Sequence, residues 1–186
     1  PDLEGIEMDY GVRMLSWRRI DPKTTYLRVS NIVLPCHGFI PTGGLKGYPE
    51  GYTIHSHVPI DDTHSMRYNI HFRRTRPITE DERQHDEEIG ADFRKLRNLA
   101  NNYLQDREKQ RRENFTGMGQ IFLVHDSCAT ETMGPIYDRS REHLGVSDMT
   151  VIAVRRFLLQ CVRALQGGKE PPHVIRTEQQ NDLRHV

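Results

Sequence analysis

Residues 148–168 read Asp148-Met149-Thr150-Val151-Ile152-Ala153-Val154-Arg155-Arg156-Phe157-Leu158-Leu159-Gln160-Cys161-Val162-Arg163-Ala164-Leu165-Gln166-Gly167-Gly168. Within them Val151, Val154, Leu158, Cys161, Val162 and Leu165 recur at three- and four-residue steps. That spacing lines one face of an α-helix. Arg155, Arg156 and Arg163 fall mostly off it. Ser147 or Asp148 supplies the N-cap, and Gly167–Gly168 stops the helix. A long helix with one oily face needs a second layer to cover it.

That layer is read from the first third of the chain. Residues 10–20 carry Val12, Met14 and Ser16–Trp17, and residues 24–34 carry Tyr26, Leu27, Val29, Ile32 and Val33. β-Branched and aromatic residues suit a pleated surface. Asp21–Pro22 marks the turn between them. Residues 35–52 hold eight Pro and Gly residues and read as a long loop. Residues 52–60 and 64–75 flank Asp61-Asp62-Thr63 as a hairpin.

The pattern changes at Pro77. Thr79-x-x-Glu82 fits a capping box, and Ile89, Phe93, Leu96, Ala100 and Tyr103 follow at helical spacing. Residues 105–114 are polar and read as a solvated connection. A second helix is expected over residues 120–133, and a short helical piece ends near His143. Residues 169–186 read as a polar tail. Strands followed by helices make the fold class α+β, with the last helix packed on an antiparallel sheet.

The chain's 186 residues suffice for one domain with a core. Hydrophobic residues at 35% and charged residues at 28% place it among soluble globular proteins. A formal net charge of zero offers no basic excess for nucleic acid or an anionic membrane. No apolar run reaches a membrane span of roughly 18 residues. No signal peptide opens the chain, and its first residue is Pro1 rather than Met, as expected of a fragment or a processed chain. Cys36, Cys128 and Cys161 stand far apart, with no CxxC or CxH pairing. That argues against a zinc ribbon or an iron–sulfur cluster within these residues, and suits a reducing cytoplasm.

Asp126 is the informative carboxylate. On a helix over 120–133, Phe122, Asp126, Ala129 and Met133 share one stripe. Three of those four are apolar, so the stripe is expected to face the core. A carboxylate there costs several kcal/mol unless an Arg, hydrogen bonds or a metal compensates it. Glu131 points to another face and is expected in solvent. His55 and His57 flank Ser56 on a strand and share a face. With Asp61 they could form a self-contained, cupin-like metal site. Otherwise they are strand histidines. Arg13 and Arg28 also sit on expected strands.

Asn98, Asn102-Tyr103, Asp106-Arg107, Phe115-Thr116-Gly117-Met118, the run Asp126 to Ile136, Asp138-Arg139, Glu142-His143-Leu144-Gly145 and Asp148 form an ordered set. Val58-Pro59-Ile60-Asp61-Asp62-Thr63-His64 precedes it. This set resembles the C-terminal catalytic region of Rieske non-haem iron aromatic-ring oxygenase large subunits of the phthalate 4,5-dioxygenase type. The resemblance covers most of residues 1–166, the expected catalytic domain, and not the tail at 167–186.

The resemblance implies a helix-grip (START/Bet v1-like) fold, a curved antiparallel sheet around the long C-terminal helix. It implies Asp126 as the carboxylate ligand of a mononuclear Fe(II) held with two histidines, a triad with open positions for dioxygen. The family's two histidines lie upstream in a short segment that this chain lacks, as it lacks the CxH…CxxH motif of the 2Fe–2S Rieske cluster. The chain is accordingly expected to begin just after the histidine ligands. Where the family usually has Gln before the Asp, this chain has His125. His125 and Met133 are candidates for the surroundings of the ligand. Arg13 or Arg28 would bind a carboxylate-bearing substrate. The implied activity is oxygenation of an aromatic compound by dihydroxylation, hydroxylation or O-demethylation, in a homotrimer fed by a reductase. The alternatives are a non-catalytic helix-grip module for small apolar ligands and the cupin-like site at His55 and His57.

Overall fold

The computed structural model describes residues 2–41, 51–80 and 88–182. β2 (Gly11–Arg19) and β3 (Thr25–Val33) lie where the β-branched and aromatic runs place them, paired from Gly11↔Val33 to Arg19↔Thr25. β5 (Tyr52–Pro59) and β6 (Ser65–Phe72) form the expected hairpin. Two strands went unread. β1 (Asp2–Met8) pairs with β2 but shows no clean alternation, because Gly5 and Glu7 occupy two positions of its helix-facing side. β4 (His37–Pro41) sits inside the expected long loop and bridges β3 and β5. The six strands form one antiparallel meander in sequence order.

Asp61 turns the β5–β6 hairpin. Its Oδ1 accepts from the backbone N–H groups of Thr63 at 2.8 Å and His64 at 2.7 Å, and from the Thr63 hydroxyl at 3.1 Å. His64 Nδ1 lies 2.9 Å away. These contacts, the Thr63 N–H foremost, hold the Asp61 carboxyl down at about 2. A depressed carboxyl stabilises the turn above its ordinary value of 3.8, and the contribution is lost as pH falls toward about 2. Asp61→Ala is therefore expected to speed exchange of the Thr63 and His64 amides at neutral pH. The wild type should show the same loss only in that acid window. Unchanged protection in the variant would remove this role.

The long helix, α3 (Met149–Gln166), packs on β1 and β2. Gly5 permits the approach: a Cβ there would lie 2.7 Å from Ala153 Cβ. Thr150 and Phe157 are buried, and Val12 beneath is 1% exposed. The face turned to the sheet thus runs through Thr150, Ala153, Phe157 and Cys161. The expected stripe is displaced around the helix, with Val151, Leu158, Val162 and Leu165 exposed. Spacing counted apolar residues, but contact selected the small residues that let the backbones close and the one aromatic ring that fills the gap. The N-terminus follows the expectation in modified form: Asp148 precedes the helix, and its carboxylate accepts from Gly145 N–H at 2.8 Å. The segment after Gly168 folds back within this unit, with His173 stacked on Phe157 at 5.5 Å between ring centres and 3.2 Å from Glu7. This is an α+β helix-grip architecture. No described helix is long and apolar enough to cross a membrane.

The chain divides into two compact units, residues 1–77 with 143–186, and residues 78–142. In the second, the helix expected through Ile89 and Phe93 does not form. Gly90 N–H donates to Arg94 O at 2.8 Å, Asp92 accepts from Arg94 N–H at 3.1 Å, and Ile89 bridges Lys95. Gly90 and Asp92 favour this turn over helix, and Phe93, at φ 61°, ends 77% exposed. The capping box ending at Glu82 lies outside the described residues. Leu99–Leu104 is a 3-10 turn with three consecutive left-handed residues, Asn102, Tyr103 and Leu104. Non-glycine residues pay roughly 1–2 kcal/mol each for that conformation, and here it turns Tyr103 inward to 2% exposure. The polar stretch read as a connection holds α1 (Arg107–Arg112), capped by Asp106. α2 (Phe122–Glu131) lies within the expected second helix.

Candidate functional site

α2 packs through Val124 and Cys128 against Tyr103, Met118 and Ile121. Glu131, one turn beyond Cys128, continues that stripe. It accepts from the Tyr103 hydroxyl at 2.6 Å and pairs with Lys95. Burial pushes the Tyr103 phenol up, with the neighbouring Cys128 adding to the effect. The carboxylate on the packed face of α2 is therefore Glu131, not Asp126.

The stripe that sequence spacing placed in the core faces outward. Phe122 is 73% and Met133 51% exposed. The carboxylate argument drawn from an oily stripe is thus overturned: four residues at helical spacing do not say which side the core is on. Asp126 itself is half-buried. Its backbone carbonyl accepts from Thr130 Oγ1 at 2.8 Å. Among the described residues no hydrogen bond or ion pair engages its carboxylate, so the Arg-paired alternative is not realised there either. Its neighbour His125 aims elsewhere, with Nε2 donating to Gly119 O at 3.0 Å and lying 3.4 Å from Thr116 Oγ1. That ring ties α2 to the turn before it.

His55 and His57 share the sheet face that carries α3, as strand parity requires. His55 Nδ1 is 2.8 Å from Asn69 Oδ1 and 3.0 Å from Arg67 Nη2. Desolvation, then the Arg67 charge, then His55 hold His57 below the ordinary histidine value. Asp61 is occupied by its own turn. Among the described residues no three His, Cys, Asp or Glu side chains gather into a metal site.

Arg13 and Arg28 occupy opposite faces of the sheet, since Arg13 pairs with Asn31 and Arg28 with Ser16. Arg13 Nε donates to Asn31 Oδ1 at 3.3 Å, beside the Tyr10 hydroxyl, which donates to the same oxygen at 2.6 Å. Burial raises the Tyr10 phenol, partly offset by Arg13. Arg28 is half-buried on the face that carries α3. Arg67, which sequence reasoning passed over, stands on that face too. Only pairing register reveals it, because β6 carries no sign of which of its polar residues turns inward.

The LigXa C-terminal domain-like family model matches residues 1–182. The oxygenase subunit of phthalate 4,5-dioxygenase from Pseudomonas putida is 36% identical over 179 residues, covering 91% of this chain and 39% of that protein. The oxygenase subunit of 3-chlorobenzoate-3,4-dioxygenase from Comamonas testosteroni is 25% identical over 180 residues, covering 83% of this chain and 40% of that protein. The chain thus spans about two-fifths of the length of these curated relatives. With nearly its whole length matched, the chain belongs to the LigXa C-terminal domain-like family, and the resemblance to the C-terminal region of Rieske-type aromatic-ring oxygenases holds.

Proposed function

We propose that the chain is the substrate-binding and iron-binding part of an oxygenase subunit acting on an aromatic carboxylate. Membership of the family supports the oxygenase class, and the two relatives are named for phthalate and 3-chlorobenzoate, both aromatic carboxylates. The observation that carries the site is the Asp126 carboxylate, half-buried and without a hydrogen bond or ion pair among the described residues. Such a carboxylate fits one position of a two-histidine, one-carboxylate iron site. The two imidazoles would come from outside these residues, in keeping with relatives more than twice as long. The bound iron would supply dioxygen activation, with electrons from a reductase by way of a Rieske cluster also outside this chain.

The chain's own residues do the rest. Asp126 contributes the negative ligand. His125 fixes the turn before α2 and so the direction of the helix carrying it. Met133 lies two residues past the C-terminal end of that helix. Arg28 offers a charge on the helix-bearing sheet face. The working form would be a cytoplasmic homotrimer. Metal analysis tests the reading: the complete subunit should hold one mononuclear iron per chain that is lost on substitution of Asp126. Iron retained at full occupancy by the Asp126→Ala subunit would refute it.

A further inference from the structure

The six-stranded sheet ends in two different edges, β1 and β6. β1 carries Asp2, Glu4 and Glu7, and carboxylates on an edge repel a second copy of the same strand. β6 carries no Asp, Glu, Lys or Pro. All eight of its residues pair with β5 in an unbroken register, with no bulge to twist the edge away. Met66, Tyr68 and Ile70 alternate along it, and all three are exposed. Among the described residues no strand pairs with its free side.

One hydrogen bond fixes which backbone groups line that side. His57 N–H donates to Cys36 O at 2.9 Å, so the backbone N–H and C=O of His57 turn toward β4. These groups alternate sides along a strand. Those of Ser56 therefore turn to β6, where Ser56 is paired with Tyr68. Tyr68 turns back toward Ser56, and the N–H and C=O of Arg67 and Asn69 point outward from the sheet edge. Outward backbone groups in a row are a template for one more strand.

Side-chain pairing selects the strand that fits. Directly opposite residues share a sheet face, so a second copy of β6 running antiparallel must be centred on a residue, with the two-fold axis beside it. Centred on Arg67, two guanidinium groups stand opposite each other. Centred on Asn69, Arg67 faces His71 of the second copy. Centred on Tyr68, Arg67 meets Asn69, an acceptor it already uses within one chain at 3.0 Å. The same centre sets Met66 against Ile70, and Tyr68 against its own counterpart, on the opposite sheet face. Like charges directly opposite destabilise a strand pair, whereas apolar and aromatic pairs stabilise it. Met66-Arg67-Tyr68-Asn69-Ile70 is thus complementary to its own reverse.

We propose that two copies of this chain join edge to edge through β6, antiparallel about Tyr68, so that two six-stranded sheets become one. The contact is isologous, with the same patch used on both copies. A ring of three uses two different patches, so this interface is separate from those of the homotrimer proposed above.

Sedimentation of the 186-residue chain tests it. The chain should sediment at twice its 21.7 kDa mass and dissociate on dilution. Tyr68→Lys sets two like charges at the axis, and it should leave a folded monomer at every concentration because Tyr68 is exposed in the single copy. Cysteine pairing tests the register. Tyr68→Cys places the two introduced thiols on Cα atoms about 4.5 Å apart, within reach of a disulfide. Ile70 is as exposed as Tyr68, 51% against 55%. In the paired strands it stands about 14 Å from its counterpart, at roughly 3.4 Å per residue. Copper-phenanthroline oxidation should therefore link Tyr68→Cys about ten-fold faster than Ile70→Cys, read as the linked peptide by mass spectrometry. A wild-type chain that stays monomeric, a Tyr68→Lys chain that still pairs, or equal cross-linking of the two variants would overturn the proposal. Protection of the Arg67 and Asn69 amides from exchange in a complete subunit whose copies do not pair would overturn it too. An extended segment of the same subunit would then hold the edge.

Discussion

Asp126→Ala in the complete subunit is expected to lose iron and to lower product formation by well over a hundred-fold. Even the partners behind metal ligands cost ten- to a hundred-fold when removed, so a ligand should exceed that. Asp126→Asn separates charge from shape. It keeps an oxygen in the same place but removes the negative charge that favours a divalent ion, and it should also fail to retain iron. Because the Asp126 carboxylate makes no hydrogen bond or ion pair among the described residues, neither substitution should change unfolding by more than about 0.5 kcal/mol. Tyr103→Phe supplies the contrast. It strips Glu131 of a 2.6 Å hydrogen bond at the packed face of the same helix. Its cost, about 1–3 kcal/mol, should appear in stability first, with iron stoichiometry retained in the folded fraction. A stable, iron-replete, active Asp126→Ala subunit would end the assignment. A Tyr103→Phe subunit that lost iron without losing stability would move it to Glu131.

The contrast between these carboxylates marks how far the residues alone could be read. The motif order from Asn98 to Asp148 was legible as a family resemblance, and the family match over residues 1–182 agrees with it. The strands at 11–19 and 25–33 and the 52–72 hairpin were legible because β-branched residues and the Asp-Asp-Thr turn act locally. What failed was every step that required knowing which side of a helix meets a neighbour. Phe122 and Met133 are oily yet exposed, while Glu131 is charged yet packed, because Tyr103 and Lys95 reach it from 28 and 36 residues away. Periodicity names a stripe, and only long-range partners decide whether it is the buried one. The turn at Gly90–Arg94 failed for a related reason: one glycine and one Asx contact outweighed the spacing of apolar residues, and Phe93 and Leu96 end exposed. Arg67 was invisible because a one-residue slip in strand register reverses every face, and register is not written in β6 alone.

The same lesson gives the second large effect. Phe157→Ala is expected to destabilise the sheet-containing unit by about 3–5 kcal/mol, the usual cost of removing a buried aromatic ring. Phe157 is 2% exposed, and the His173 ring stacks on it. Its loss opens a cavity that the close contact of Ala153 with Gly5 keeps the helix from collapsing into. Against a total stability of about 5–15 kcal/mol, that is a large share. Leu165→Ala, on the stripe that spacing alone would have buried, should cost no more than about 0.5 kcal/mol, because Leu165 is 62% exposed. Trp17 is the only tryptophan and lies on β2, so its fluorescence during urea unfolding reports this unit. A midpoint that falls for Phe157→Ala and holds for Leu165→Ala places the helix as described. The reverse order would mean that α3 meets the sheet through Val151, Leu158 and Leu165, and that Gly5 has no part in the packing.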